Sequence, residues 1–178
     1  MKKTLAAIAI LTLAASGCGY TTKSLLPSDY KTIHVENFKN ALKITAEQSN
    51  ERMYRGYRPG MEISITKAVI DKYLMDGNLR IDSAERADLI LSAELIDFNR
   101  GGITYDSSDN VQEYRIKLVV SMELTEAKSG KTVWKESGFA GETTYRTSGS
   151  LETSESAAID NAIADLAKRI VERTIEAW

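Results

Sequence analysis

The residues that could support chemistry are few and widely spaced. The chain has one cysteine, Cys18, and one histidine, His34, too few to build a zinc site. His34 falls on the polar side of a predicted strand, and no motif supplies the serine and aspartate of a hydrolytic triad. Unless a bulge realigns them, Glu94 and Asp97 would point to opposite faces of an extended strand, so they form a poor acid and base pair. We therefore predict no catalytic residues.

Two short motifs resemble ligand-binding loops but lack residues that such loops need. "SGKT" at 129–132 matches the end of a phosphate-binding loop, yet Thr125 stands where the first glycine is required. "DSSDN" at 106–110 resembles the start of a calcium loop, but Val111 occupies the glycine position and no matching glutamate closes the loop. We expect a hairpin turn and a solvated loop, with no metal and no cofactor.

The position of Cys18 indicates a membrane anchor. Lys2 and Lys3 precede a short apolar run that ends in small residues, as in a secretory signal peptide. The run is shorter than the roughly 20 residues that span a bilayer. Cys18 lies at the cleavage position, as in a bacterial lipobox, although Ala15 replaces the usual leucine. We predict that residues 1–17 are a lipoprotein signal peptide and that Cys18 is acylated; an ordinary signal peptide is the alternative.

Length and charge fit one acidic domain after the signal peptide. The full chain has 178 residues, with 23 basic and 25 acidic side chains. Removing Lys2 and Lys3 leaves 21 basic residues and a net charge of −4, which does not suggest a nucleic-acid partner. We expect the acylated cysteine and a linker at 18–29, followed by a single domain at 30–178.

Local patterns place the helices and strands. A strand is predicted around Ile33 and Val35, and a helix from Pro59, which suits a helix start, to the stop signal at Gly77. "ADLILSAELIDF" alternates and then changes phase, as at a bulge. "EYRIKLVVSMELTE" is the clearest strand, and a turn leads from it into a strand in which Gly138 and Gly141 indicate a bulge or a bend. The last helix, from about Thr153, carries an apolar stripe: Ile159, Ile163, Leu166 and Ile170.

The order of these elements predicts the fold class and a polar surface. Strand, helix, three or four strands and helix indicate an α+β, two-layer sandwich, with two helices packed on one face of a four-stranded, mostly antiparallel sheet. The other sheet face should carry Arg115, Lys117, Ser121 and Glu123, because these alternate with apolar residues. That face should be wet or covered by a partner.

One surface segment interleaves aromatic and cationic side chains. Tyr54, Arg55, Tyr57 and Arg58 lie in a predicted loop, "YRGYRPG". Both residue types are common at interfaces, and arginine can form two hydrogen bonds to a phosphate. The alternative is a loop that packs its tyrosines on the domain and leaves its arginines in water.

Several segments together resemble the LPS-assembly lipoprotein family (LptE). "CGY" followed by "LLPSDYKTIHVENFKN" is similar to the opening of that family, with the acylated cysteine, Leu-Pro and a Lys-Thr-Ile strand. "PGMEISITKAVIDKYLMDGNLRI", "ADLILSAELIDF" and "EYRIKLVVSMELTEAKSGKTVWKE" continue the resemblance in the same order. The resembling segments cover most of the chain after Cys18.

The resemblance implies a non-enzymatic outer-membrane lipoprotein that faces the periplasm. Family members sit inside the large LptD β-barrel and help it deliver lipopolysaccharide to the outer leaflet. In better-known members a loop carries a basic residue proposed to meet lipid A phosphate, but here that loop reads "SSDN". Arg100 or the segment from Tyr54 to Arg58, both expected in loops at the ends of the sheet, would have to replace it. The other candidate contacts with the barrel or the lipid are Arg115, Lys117, Lys128 and Lys131.

Two other functional classes remain open at this point. A periplasm-facing accessory or structural lipoprotein of another envelope export complex would share the anchor and the sandwich. An acylated enzyme is the third class. Co-purification of an outer-membrane barrel would favour the function that the resemblance implies over the accessory lipoprotein. A hydrolase screen would test the acylated enzyme.

The lipobox reading predicts the behaviour of Cys18→Ser. Without the thiol the chain cannot be acylated, so the variant should remain uncleaved or be released from membranes on extraction. Intact mass and membrane fractionation measure both outcomes. A variant that is still processed as a globomycin-sensitive lipoprotein would contradict the prediction.

Overall fold

The computed structural model describes residues 29–42 and 57–176. Within them the strands are β1 (Thr32–Val35), β2 (Lys39–Asn40), β3 (Arg80–Ile81), β4 (Leu89–Tyr105), β5 (Val111–Glu126) and β6 (Thr132–Arg146). The helices are α1 (Met61–Asp76) and α2 (Glu155–Glu176). The predicted signal peptide, Cys18, most of the predicted linker, Tyr54 and Arg55 lie outside the described residues.

The predicted α+β class with two helices is confirmed, but the described sheet has six strands and is mixed, so the predicted sheet of four mostly antiparallel strands is correct only in part. Its order is β3-β1-β4-β5-β6, and β2 pairs with β4. The long strands β4, β5 and β6 are antiparallel. β1 pairs in parallel with β3 and β4, and β2 in parallel with β4. The chain crosses over through α1 between β1 and these partners, and such a crossover brings strands together in parallel.

Both predicted helices are confirmed at the expected places. Gly60 and Gly77 flank α1, and the Gly77 N–H donates to the Tyr73 carbonyl, which closes the helix end. The apolar stripe predicted for the last helix is buried along α2, which begins at Glu155. The two helices pack against each other and share one core with the sheet, so they cover the same sheet face. Neither is long and apolar enough to cross a membrane.

Two bulges keep the apolar residues of the long strands in the core. The register of β4 against β5 shifts between Leu95 and Asp97, which confirms the bulge predicted from the phase change. The shift returns Phe98 to the core, where it is fully buried. Gly138, with a φ of 79°, is the extra residue of the second bulge, between β5 and β6.

Gly141 has a different role from the predicted bend. It stays in regular register opposite Leu118 and lies directly under α2. A Cβ on Gly141 would lie 2.4 Å from the Leu166 Cβ and 2.5 Å from the Leu166 backbone nitrogen. Because backbone atoms block that space, only glycine allows α2 to approach β6 so closely.

This contact predicts that Gly141→Ala lowers the free energy of unfolding by about 2 kcal/mol, since the new methyl group would displace α2. Gly101→Ala is the matched control, because its Cβ would meet only the Asn99 side chain, at 3.5 Å. Denaturant unfolding of both variants measures the difference. Equal stabilities of the two variants would show that α2 does not depend on this contact.

Candidate functional site

The sheet face that the helices leave uncovered is polar, as predicted. Arg115, Lys117, Ser121 and Glu123 alternate along β5 with buried core residues. Side chains directly opposite them in β4 and β6 belong to the same face. We call this surface the open face; it comprises Ser92, Glu94, Arg115, Lys117, Ser121, Glu123, Lys135 and Glu142.

A shallow groove of about 180 Å³ crosses one half of the open face. Its wall includes Glu123, which accepts hydrogen bonds from Thr132 at 2.6 Å and from the Lys135 ammonium at 3.0 Å. These two hydrogen bonds lower the pKa of Glu123 below its ordinary value, so the carboxylate stays charged at neutral pH. Nearby, Ser92 donates to Glu36 at 2.7 Å. The groove is a polar surface in which Glu123 and Lys135 form an ion pair.

The other half of the open face carries cations that a partner can reach. Arg115 and Lys117 are exposed on β5, opposite Thr144 and Glu142 of β6. Neither takes part in an ion pair within the described part of the chain. Their predicted place on an exposed polar face is confirmed, and contact with a partner remains a prediction.

Arg100 was expected in a loop at the end of the sheet, and this prediction is wrong. It lies within β4, on the face that the helices cover, and is only 7% exposed. Its Nε donates to the Tyr145 hydroxyl at 2.7 Å and lies 2.9 Å from the Glu155 carboxylate. Its guanidinium sits 3.5 Å from the centre of the Tyr114 ring. It therefore presents no free charge to a partner or a lipid.

The cluster of Arg100 with Tyr114, Tyr145 and Glu155 has a structural role, and the charge of Arg100 is satisfied by its partners within the cluster. Burial acts to lower the pKa of Arg100, but the bond to Tyr145 and the charge of Glu155 outweigh burial and raise it. The Tyr145 hydroxyl in turn donates a hydrogen bond to the Glu155 carboxylate, at 3.0 Å. Because Glu155 is the first residue of α2, the cluster fastens the start of that helix to three strands. Arg100 stands two positions after the buried Phe98, a strand spacing that could have revealed its inward direction.

Tyr57 and Arg58, the aromatic and the cationic residue of this segment that the structure describes, support different interpretations. Tyr57 is half-buried, with its ring 6.0 Å from that of Phe98, and it accepts a hydrogen bond from Asn40. Arg58 is exposed, and its weak hydrogen bond to Ser156 is 3.4 Å long. Tyr57 therefore packs on the domain, while Arg58 remains accessible to a ligand or a partner.

The two loop motifs are turns in the structure. The Asp106 carboxylate accepts hydrogen bonds from the backbone N–H groups of Asn110 and Ser108, which lower the pKa of Asp106. The Asp106 carboxylate is thus occupied by hydrogen bonds within its own turn. Lys128 and Lys131 lie exposed in the hairpin turn between β5 and β6. Among the described residues, no group of three or more histidine, cysteine or carboxylate side chains could hold a metal ion.

Comparisons with known proteins identify a family and a shared fold. The family model LptE, described as lipopolysaccharide-assembly, matches residues 30–174. The chain is similar to the solution structure of lipoprotein B from Nitrosomonas europaea, with 11% identity, a TM-score of 0.52 and coverage of 89% of this chain and 87% of that one. No curated protein sequence matches.

Two crystal structures are similar to the same extent. A protein from Xanthomonas campestris has 12% identity and a TM-score of 0.51, covering 83% of this chain and 88% of that one. A hypothetical protein from Chlamydia trachomatis has 9% identity and a TM-score of 0.51, covering 82% and 95%. At such identities the similarity shows the fold alone.

The two environments of arginine predict different effects of truncation. Arg100→Ala should lower the free energy of unfolding by about 2 kcal/mol, because it removes the partner of Glu155. This figure is below that of a fully buried pair, since the Glu155 side chain is 31% exposed. Arg115→Ala, at an exposed position of the same sheet, should change it by less than about 0.5 kcal/mol. Chemical denaturation of both variants decides the matter; equal effects would contradict the assignment of Arg100 as a structural residue.

Proposed function

Because the chain belongs to the LptE family of lipopolysaccharide-assembly proteins, we propose that it is the partner of an LptD-type outer-membrane β-barrel. In this proposal Cys18 carries the lipid anchor, and the domain faces the periplasm and sits as a plug in the barrel. The complex delivers lipopolysaccharide to the outer leaflet. The protein binds and positions its partner and catalyses no reaction.

The observation that carries the proposal is the extent of the family match. It begins at residue 30, next to the first strand, and ends at 174, in the last turns of α2. The match therefore includes the helices, the long strands and the open face that they leave uncovered. A match confined to the anchor region would not distinguish this family from other lipoproteins.

The chemistry of the open face supports a partner with a polar wall. Arg115 and Lys117 are exposed there, and Val119 is the one apolar residue between Lys117 and Ser121 on that side of β5. Large permanent dimer interfaces are more apolar than such a surface. The interior of a large outer-membrane barrel is polar and lined by water, so it suits this face.

The proposed contacts divide into two sets. Arg115 and Lys117 would meet the barrel wall through the open face, and arginine is a frequent anchor of such interfaces. Exposed residues outside that face would orient the domain: Arg58, Lys128 and Lys131. We propose that Tyr54 and Arg55 join them, as the sequence predicts. Direct contact with the phosphates of lipopolysaccharide would fall to exposed arginines, because a guanidinium can form two hydrogen bonds to a phosphate.

We expect photo-crosslinkers placed at Arg115 and Lys117 to capture one large outer-membrane protein in intact cells. A crosslinker at Ile163, on the buried face of α2, should capture none. Mass spectrometry of the adducts identifies the partner and the site of attachment.

Two results would overturn the barrel proposal. Adducts with only a second copy of this chain would indicate self-association through the open face. Adducts with a different envelope protein would favour an accessory lipoprotein of another export complex. Affinity purification from solubilised outer membranes tests the barrel proposal without a crosslinker, because the proposal expects the barrel to co-elute.

A further inference from the structure

Gly101 is a glycine that the described part of the domain does not require. It lies in the long strand β4, and a glycine weakens a strand because it loses more chain entropy and packs no side chain. Its backbone does not adopt a positive φ. A Cβ built on it would meet only the Asn99 Oδ1 atom, at 3.5 Å. Among the described residues, nothing therefore prevents a side chain at this position.

The other glycines of the described residues each have a structural reason. A Cβ on Gly102 would lie 2.9 Å from the Tyr105 hydroxyl and 3.0 Å from the Val111 methyl groups. Gly141 lies directly under α2. The remaining five adopt a positive φ, which favours glycine: Gly60, Gly77, Gly130, Gly138 and Gly149. Gly101 lacks such a reason, which points to a contact outside the domain.

The missing side chain leaves a space on the open face. Gly101 is paired with Arg115 of β5, and residues directly opposite each other in a sheet point to the same side. Next to this pair, Asn99 is opposite Lys117. Gly101 thus interrupts a surface of long polar side chains. We call this space the Gly101 notch; it is bounded by Asn99 on the same strand and by Arg115 on the next strand.

The notch is also open toward the edge of the sheet. On the side of β4 away from β5, the partners of β4 are β1 and β2, and the last paired residue is Leu95. Within residues 29–42 and 57–176, no strand pairs with β4 on that side at Gly101. A side chain of a partner can therefore enter the notch from above the sheet or from its edge.

The residues around the notch favour an aromatic occupant. Glycines in sheets are stabilised by an aromatic ring that a neighbouring segment lays over them. Arg115 is exposed and has no ion pair within the described part of the chain, so its guanidinium is free to stack on such a ring. On the other face of the same sheet Arg100 shows this geometry, 3.5 Å from the centre of the Tyr114 ring.

We infer that the Gly101 notch receives one aromatic side chain from the inner wall of the partner barrel. The ring lies on the Gly101 backbone and against Arg115. Tyrosine fits best, because its hydroxyl can bond to the Asn99 amide or to the water of a polar barrel interior. A large side chain anchored in a small pocket is a common hot spot of interfaces. The inference rests on the proposed function, which supplies the barrel, and it adds the position and the chemistry of one contact.

The test uses the full acylated chain, tagged and purified from solubilised outer membranes. Gly101→Leu fills the notch, and Gly101→Ala fills part of it. Ser137→Leu is the matched control, because it adds the same side chain at an exposed position of β6, opposite Ser121 of the open face. We expect the barrel recovered per tagged chain to fall about tenfold with Gly101→Leu and about threefold with Gly101→Ala, and to change little with Ser137→Leu. Quantitative mass spectrometry measures this ratio.

Denaturant unfolding of the purified variants separates binding from folding. Gly101→Ala should be at least as stable as the unmodified chain, because its Cβ meets only Asn99. A clearly less stable Gly101→Ala would show that the domain itself requires this glycine, and this result overturns the inference.

A crosslinker identifies the occupant. A benzophenone amino acid at position 117, diagonally across from the notch, should attach to an inward-facing barrel strand beside an aromatic residue. Exchanging that aromatic residue for alanine should restore recovery of the barrel by Gly101→Leu. Attachment far from any aromatic residue, attachment to a second copy of this chain, or a lack of restoration overturns the inference.

The co-elution data distinguish the two levels of the argument. If the unmodified chain and Gly101→Leu recover equal amounts of barrel, the notch is not a contact and the proposed function stands. If the unmodified chain recovers no outer-membrane barrel, the proposed function and the inference fail together.

Discussion

The close contact between α2 and β6 is the constraint on which the rest of the structure depends. Because Gly141 has no side chain, Leu166 packs directly on the sheet, and the apolar stripe of α2 fills the core between the helices and the long strands. The same helix protects the edge of β6. Asp165 accepts a hydrogen bond from the Glu142 N–H at 3.0 Å, and Arg169 donates to the Ala140 carbonyl. An edge strand covered in this way is a poor template for pairing with another chain.

Because α2 covers one face and part of one edge, the open face is left as a polar, regular surface. The contrast between two arginines shows how the fold divides its charges. Arg100 is held between Tyr114 and the Tyr145–Glu155 pair, where its charge fastens α2 to the sheet. Arg115, on the opposite face, has no ion pair within the described residues and is available for recognition. Arginine thus stabilises the domain on one side of the sheet, and on the other side we propose that it binds the partner.

The chain belongs to the LptE family, and the function that we propose for it is to bind and position a partner. The LptE family model spans the domain, and the described residues bring together no metal-binding group. In the proposed arrangement the lipid anchor holds the domain at the membrane, and the open face meets the barrel wall. The three long strands, of 15 to 17 residues, give that face its length.

The sequence by itself determined the features that depend on neighbouring residues: both helices, the stop of α1 at Gly77, the bulge after Leu95, the hairpin turn and the polar face of β5. Helical and strand periodicities are local, so they are readable without the fold. Only the tertiary structure decided the parallel pairing of β1, the true length of β4 and the burial of Arg100. Those features arise from contacts between distant segments; Tyr145 and Glu155 lie 45 and 55 positions from Arg100. No local pattern encodes which distant side chain will neutralise a charge.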